Sequence, residues 1–295
     1  MGSFRIFNGK VILFGEYSVM AGSSVLIIPY RRATAQLVMA AGTADDSVRR
    51  SNDVLVRFSS FINSNASEVI DTEAFRNDVV RGLYLKSSVP EHKGLGSSGA
   101  LCAAVYDSYK RSEIRDLNTL QQLFAFMESF FHGTSSGVDP LSIYIGAPVI
   151  IEKSEYKIPE IPKETRIVPF LLDSGITCET APLVNEFRRM FSQHSYFSDF
   201  QGEYVPLVNS SVESWKNGSL GLKQVSALSD AQVRFLSPMI PDAIKPVWNA
   251  GSESGLFSLK LCGSGGGGMF LGFTEEAEAT KAFLRERFGL EIISL

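Results

Sequence analysis

Two glycine-rich loops constrain this chain more than any other feature: KGLGSSGA at residues 93–100 and GSGGGG at 263–268. Glycine reaches positive φ without a steric clash, so successive N–H groups can turn inward. A helix that starts at such a loop adds partial positive charge at its N-terminus. Both loops are therefore places where backbone amides can approach an anion with no side chain in the way. With the segment Lys-Val-Ile-Leu-Phe-Gly-Glu (residues 10–16) ahead of both, the pair suggests a phosphate-handling enzyme. Neither loop alone carries that conclusion.

At 295 residues the chain is long for one hydrophobic core, and two packed domains are expected. The balance of 44% hydrophobic and 20% charged residues is that of a soluble globular protein. No apolar run approaches the roughly 18 residues of a spanning helix, so no membrane partner is expected. The start, MGSFRIFNGK, lacks the apolar stretch of a signal peptide, and Ile6 stands where myristoylation needs Ser or Thr. A net charge of −4 without a basic block excludes nucleic acid as the expected partner. The cysteines, Cys102, Cys178 and Cys262, are odd in number and form no CxxC, which argues against a zinc site or a disulfide framework. A reducing, cytoplasmic location is expected.

Periodicity and breakers give the element order. The first sixty residues read as strands, at Phe4–Phe7, Lys10–Phe14, Ser24–Ile28 and Thr34–Met39. Asp71-Thr72-Glu73 starts a helix that carries Phe75, Val79 and Leu83 on one face. Residues 87–96 form a loop, Ser97 to about Lys110 a helix of small residues, and Asn118–Phe131 another helix. A strand follows at Pro148–Ile151. The charged segment 153–164, with Pro159 and Pro162, marks the expected boundary between a first domain at 1–160 and a second at 161–295. The second half reads as strand Ile167–Asp173, helices at Thr180–Phe191, Gly202–Lys216, Leu220–Leu236 and Asp242–Ser252, strands Phe257–Cys262 and Met269–Phe273, helix Glu275–Phe288 and strand Glu291–Ile293.

Several residues stand out against plainer readings. Ser97 or Ser98 at a helix start is ordinarily an N-cap, but a cap does not explain two serines preceded by GxG and followed by small residues. The loop is not a Walker A loop, because no GKS or GKT follows, and not a dinucleotide fingerprint, because the spacing is wrong. Four consecutive glycines between two strands are entropically expensive, which suggests close approach by a ligand or by another backbone. In HGTSSGVDP (132–140) Asp139 follows a helix in a polar loop, with Glu128 four residues before His132. By themselves these read as a capping Asp, a solvated helix-end Glu and a structural His. Lys10 on an apolar strand needs a partner or a job, unless it sits at a surface edge.

Together these segments resemble the GHMP kinase superfamily. GKVILFGEYSVMAG is similar to its first motif in the mevalonate kinase form, HKGLGSSGA to the second and KLCGSGGGGM to the third. ESFFHGTSSGVD resembles the mevalonate kinase segment E-x-x-x-HGxPSGxDN, and LLDSGITCETAPLV resembles the start of that family's second domain. The resemblance runs in consistent order from Gly9 to about Phe273. It implies an α+β fold of two domains: an N-terminal α/β domain with a mostly antiparallel sheet and a left-handed βαβ unit, and a C-terminal ferredoxin-like α+β domain.

The resemblance also implies roles. Gly94, Leu95, Gly96, Ser97, Ser98 and Gly99 would cradle the phosphates of ATP. Ser98, or failing it Ser97, would ligate Mg²⁺ with Glu128. Asp139 would act as general base toward the substrate hydroxyl, with Lys10 keeping it ionised and stabilising the alkoxide. Glu16, Tyr17, Thr180, Gly265 and Gly266 would contact the substrate. The implied activity is ATP-dependent phosphorylation of mevalonate in isoprenoid biosynthesis, with phosphomevalonate or a sugar as alternative acceptors. A catalytically inactive nucleotide-binding regulator is the reading from another class. A homodimer is expected by analogy with relatives alone. Tyr17 replaces a usual His and leans toward phosphomevalonate kinases, Ser135 and Pro140 replace a Pro and an Asn, and Cys262 replaces a Thr. Cys178 stands where an Arg is common, which leaves the reading of a substrate carboxylate open.

Overall fold

The computed structural model describes residues 3–41, 45–162, 165–177 and 180–295; Cys178 lies outside them. In chain order the elements are β1 (Phe7–Phe14), β2 (Val25–Met39), α1 (Asp46–Asn63), α2 (Thr72–Val80), β3 (Leu83–Ser87), α3 (Ser97–Tyr109), α4 (Leu117–His132), α5 (Val138–Ile145), β4 (Val149–Glu152), β5 (Glu155–Lys157), β6 (Val168–Asp173), α6 (Thr180–Phe191), α7 (His194–Asp199), α8 (Val205–Lys216), α9 (Leu222–Phe235), α10 (Lys245–Ser254), β7 (Phe257–Leu261), β8 (Met269–Thr274), α11 (Ala277–Phe288) and β9 (Ile292–Ser294).

The chain forms two compact units that interleave along the sequence. One comprises Met1–Lys10, Pro29–Glu91 and Leu95–Ala147; the other comprises Val11–Ile28, His92–Gly94 and Pro148–Leu295. Strand β2 contributes to both. Its second half, Ala35–Met39, pairs antiparallel with β3 in the first unit. Its first residues, Val25–Ile27, pair antiparallel with β4 in the second, and β4 pairs with β5. Pro29 falls between the two ladders, where its missing N–H interrupts neither.

In the first unit, α3 is the central element. Gly99 through Tyr106 are all buried, because small side chains let α4 and α5 both pack closely on it. Helix α1 was not expected from the sequence, which read as strands over the first sixty residues. Asp45 caps it, accepting from the Ser47 and Val48 amides, and Leu55, Phe58 and Ile62 make its buried stripe at helical spacing. Polar residues between those positions hide the period. The expected strand at Phe4–Phe7 is instead irregular chain up to Phe7. Leu83 opens β3 rather than extending α2, because Gly82 at φ +94° ends the helical path.

The second unit holds a four-stranded antiparallel sheet in the order β7-β8-β6-β9. The sequence of elements is strand, helices, strand, strand, helix, strand, which is the ferredoxin-like βαββαβ arrangement. Helices α9 and α10 pack on β7, which is buried along its whole length. The helix expected from Gly202 starts earlier, at His194, and reaches Lys216 through a π turn at Phe200–Tyr204. Pro206 lies in the first turn of α8, and its absent N–H removes one regular helical bond just after that turn.

Candidate active site

In the first unit, β1 delivers Lys10 to the first glycine loop. The Lys10 N–H donates to the Leu95 carbonyl at 2.9 Å, and the buried Leu95 side chain anchors the loop. Gly96, at φ +84°, caps the start of α3. A Cβ on Gly96 would lie 2.8 Å from Ile143 Cδ1 and 3.0 Å from Lys10 Cγ, so the lysine stem runs directly beside this glycine. No side-chain hydrogen bond caps this terminus among the described residues. The first amides of α3, at Ser97, Ser98 and Gly99, thus keep the character of an anion-binding helix start.

Gly99 brings a second helix close. A Cβ there would lie 2.9 Å from the Pro140 nitrogen, so α3 meets the first turn of α5 backbone to backbone. Asp139 sits in that first turn. Its Oδ2 is 2.7 Å from Lys10 Nζ, with the lysine side chain 4% exposed and the aspartate 33% exposed. A buried ammonium therefore faces a carboxylate that opens to solvent.

Glu128 projects from the buried side of α4. Ser98 Oγ donates to its Oε1 at 2.9 Å and lies 3.2 Å from His132 Nε2. Ser135 Oγ donates to Oε2 at 2.5 Å and accepts from the Gly137 N–H at 2.9 Å. Burial pushes the Glu128 carboxyl up to about 7, the negative charge of Asp139 adding to it, while the Ser135 and Ser98 hydroxyls and Lys10 pull the other way. A buried carboxylate beside a serine hydroxyl is a hard oxygen pair that suits Mg²⁺. Among the described residues no group of three or more His, Cys, Asp or Glu could hold a metal. A cation here would complete its shell with water and phosphate oxygens, as Mg²⁺ ordinarily does.

The first unit thus brings together Lys10, Leu95, Gly96, Ser97, Ser98, Gly99, Glu128 and Asp139. Ser135 and His132 join them, although sequence reasoning singled out neither as a site residue. The signal for His132 was its position one helical turn after Glu128. For Ser135 it was a hydroxyl where the resembling motif carries proline.

The remaining sequence candidates, Gly94, Glu16, Tyr17, Thr180, Gly265 and Gly266, lie in the second unit. Glu16 Oε1 is 2.5 Å from Lys260 Nζ, and both side chains are buried. Tyr17 Oη donates to the Ser264 carbonyl at 2.7 Å, and its ring stands 4.7 Å from that of Phe187. Thr180 Oγ1 lies 3.1 Å from Ser264 Oγ. In the second glycine run, the Gly266 N–H donates to the Met239 carbonyl and the Gly268 N–H to the Ile176 carbonyl, each at 2.7 Å. A Cβ on Gly265 would lie 2.5 Å from the Met239 oxygen, and one on Gly267 2.7 Å from the Ile176 oxygen. Of the two explanations the sequence left open for these glycines, close approach of another backbone accounts for these positions.

Two surface clefts are lined by none of these residues. One of about 500 Å³ is lined by Phe4, Arg5, Gln36 and Asp107, and one of about 430 Å³ by Ser24, Lys153, Lys157 and Asn209. Arg5 is already bound to the Tyr144 carbonyl and Lys157 to Glu152. Neither cleft assembles convergent groups comparable to those around Asp139, and chemistry rather than volume locates the site. No helix among the described residues is long and apolar enough to cross a membrane.

Residues 64–147 match the family model for the N-terminal domain of GHMP kinases. Over 290 residues the chain is 23% identical to the mevalonate kinase of Archaeoglobus fulgidus, covering 94% of each protein. The fold is similar to that of L. major mevalonate kinase in complex with R-mevalonate, at a TM-score of 0.69 and 18% identity, covering 100% of this chain and 96% of that one. It is similar in the same degree to Streptococcus pneumoniae phosphomevalonate kinase in complex with phosphomevalonate and AMPPNP, at a TM-score of 0.68 and 18% identity, covering 99% and 98%. Both likenesses bear out the expected α+β fold with antiparallel sheets.

Proposed function

We propose that this chain, whose residues 64–147 match the family model for the N-terminal domain of GHMP kinases, is an ATP-dependent small-molecule kinase that converts mevalonate to 5-phosphomevalonate. The observation that carries this reading is the pairing of Lys10 Nζ with Asp139 Oδ2 at 2.7 Å, beside the uncapped start of α3. The relatives named mevalonate kinase, matched over nearly their whole length, support the choice of acceptor.

Phosphoryl transfer asks little covalent chemistry of a protein; it needs in-line positioning and compensation of charge on the phosphate oxygens. The amides at the start of α3 hold the nucleotide phosphates, where helix dipole and unpaired N–H groups both favour anions. Asp139 accepts the proton of the acceptor hydroxyl as that oxygen forms its bond to the terminal phosphorus and the bond to ADP breaks. Lys10 faces the negative charge that builds on the same oxygen. Ser98 and Glu128 would hold Mg²⁺, which supplies charge compensation to the phosphates when bound.

Parallel assays of ATP consumption with mevalonate, phosphomevalonate, galactose and homoserine test the proposal. Turnover on mevalonate is expected, and silence on mevalonate overturns the assignment. Phosphomevalonate is the second reading, supported by Tyr17 and by the likeness to the pneumococcal enzyme; turnover on that acceptor alone would establish it in place of the first.

A further inference from the structure

The second unit contains a lysine for which the chemistry above has no use. Lys260, on β7, is fully buried, and a fully buried ammonium persists only when it is paired and hydrogen-bonded. Its Nζ meets Glu16 Oε1 at 2.5 Å and donates to the Leu261 carbonyl at 2.6 Å. It also lies 5.9 Å from the centre of the Phe14 ring. The N–H of the same residue, Leu261, donates to Gln232 Oε1 at 2.7 Å, and Gln232 Nε2 donates to Tyr204 Oη at 2.8 Å. Glu16, Lys260, Gln232 and Tyr204 thus form one buried polar network around the end of β7.

Two loops spring from this network. Glu16 immediately precedes Tyr17, a non-glycine residue held at φ +60°, and such a backbone persists only where its surroundings over-determine it. Leu261 leads into the 263–268 glycine run. The loops then meet at their tips, where Tyr17 Oη donates to the Ser264 carbonyl and Ser264 Oγ pairs with Thr180 Oγ1.

We infer that Lys260 is a positioning residue: its ammonium holds Glu16 at the root of the Tyr17 turn and the Leu261 carbonyl at the root of the glycine loop. The Tyr17, Ser264 and Thr180 hydroxyls are thereby kept in one arrangement, which the kinase reading assigns to the acceptor. Glu16 then acts through Lys260 and not by touching substrate. The inference deepens the kinase reading and rests on it for its kinetic arm alone.

The test compares wild type with Lys260→Met and with the double variant Glu16→Gln/Lys260→Met, which removes the charge imbalance that could unfold the single variant. Hydrogen–deuterium exchange is followed in peptides covering 16–24 and 262–269, and KM is measured separately for ATP and for mevalonate. The expected result is at least tenfold faster exchange in both peptides of the folded double variant, with the mevalonate KM raised tenfold or more and the ATP KM within twofold. Unchanged exchange overturns the inference. Faster exchange with an unchanged mevalonate KM also overturns it, because the loops would then be held without consequence for the acceptor. A wild-type protein inactive on every acceptor would defeat the kinase reading, while the exchange measurement would still decide whether Lys260 holds the loops.

Discussion

Lys10 Nζ stands 2.7 Å from Asp139 Oδ2, and the two side chains differ in exposure, at 4% and 33%. The cation is enclosed by the protein while the carboxylate faces outward. Such a pair is badly built for stability alone, since a partner one-third exposed is screened by solvent, but it is well built to present a base to a ligand.

Replacing Asp139 with Asn keeps shape and removes the base. Turnover is expected to fall by about 10²–10⁴, the usual contribution of a positioned acid–base group. Nucleotide affinity should stay within about threefold, because the α3 terminus is untouched. Single-turnover kinetics and equilibrium nucleotide binding measure the two quantities separately; wild-type turnover in this variant would remove Asp139 from its role.

Lys10→Met should separate catalysis from folding. The methionine follows the same stem beside Gly96, and the charge left on Asp139 is solvated through its open side, so stability should move by no more than about 1 kcal/mol. Phosphoryl transfer should drop at least a hundredfold. A calorimetric scan beside a kcat measurement checks both, and a collapse of the fold would contradict the packing described for the lysine stem.

Glu128 gives a pH signature. Its carboxyl is raised from an ordinary value of 4.5 to about 7, so the folded protein keeps a proton that the unfolded chain loses above about 4.5. Stability must therefore decline as pH rises between these values and level off above the upper one. Glu128→Gln, which is neutral throughout, should be more stable than wild type at pH 8 by on the order of 1–3 kcal/mol and nearly equal to it at pH 4.5. The same variant should bind divalent cations more weakly. Chemical denaturation at the two pH values, with cation titration at the higher one, tests the pair of effects.

The Ser135 hydroxyl pulls the Glu128 carboxyl down. Ser135→Ala should consequently shift the acid limb of kcat/KM toward higher pH. An acid limb that does not move in this variant would mean that another group controls it.

Gly99→Val probes the approach of α3 to α5. A Cβ at this position meets backbone, 2.9 Å from the Pro140 nitrogen, and cannot be accommodated by a rotamer change. Destabilisation of about 1–3 kcal/mol is expected, together with loss of turnover, because Asp139 sits in the turn that would be displaced. Denaturant midpoints and activity are the measurements; an unaffected variant would show that the contact is not needed.

Much of the fold was legible in local pattern. Helices α3, α4 and α6 and strands β6, β7 and β8 lie within a residue or two of where periodicity and glycine boundaries put them, since each combines a clear period with a strong breaker. Helix α1 was not legible, because its apolar stripe is diluted by serine, arginine and aspartate and only packing against β3 gives that stripe its meaning. The site candidates Lys10, Ser98, Glu128 and Asp139 were named from motif resemblance, and their meeting was an assumption that no spacing in the chain could supply.

By itself the amino-acid order determined where the chain turns at its glycines, the helical stretches other than α1, α5 and α7, and which residue types recur in a kinase-like series. That information is local, carried by the steric freedom of glycine and the period of apolar side chains. Tertiary structure alone decided that Lys10 reaches Asp139 across 129 positions of chain. It also decided that Glu128 is buried between two serine hydroxyls and that the second glycine run is shaped by the carbonyls of Met239 and Ile176. The physical reason is that burial and charge pairing depend on distance through space, and only the packed chain sets those distances.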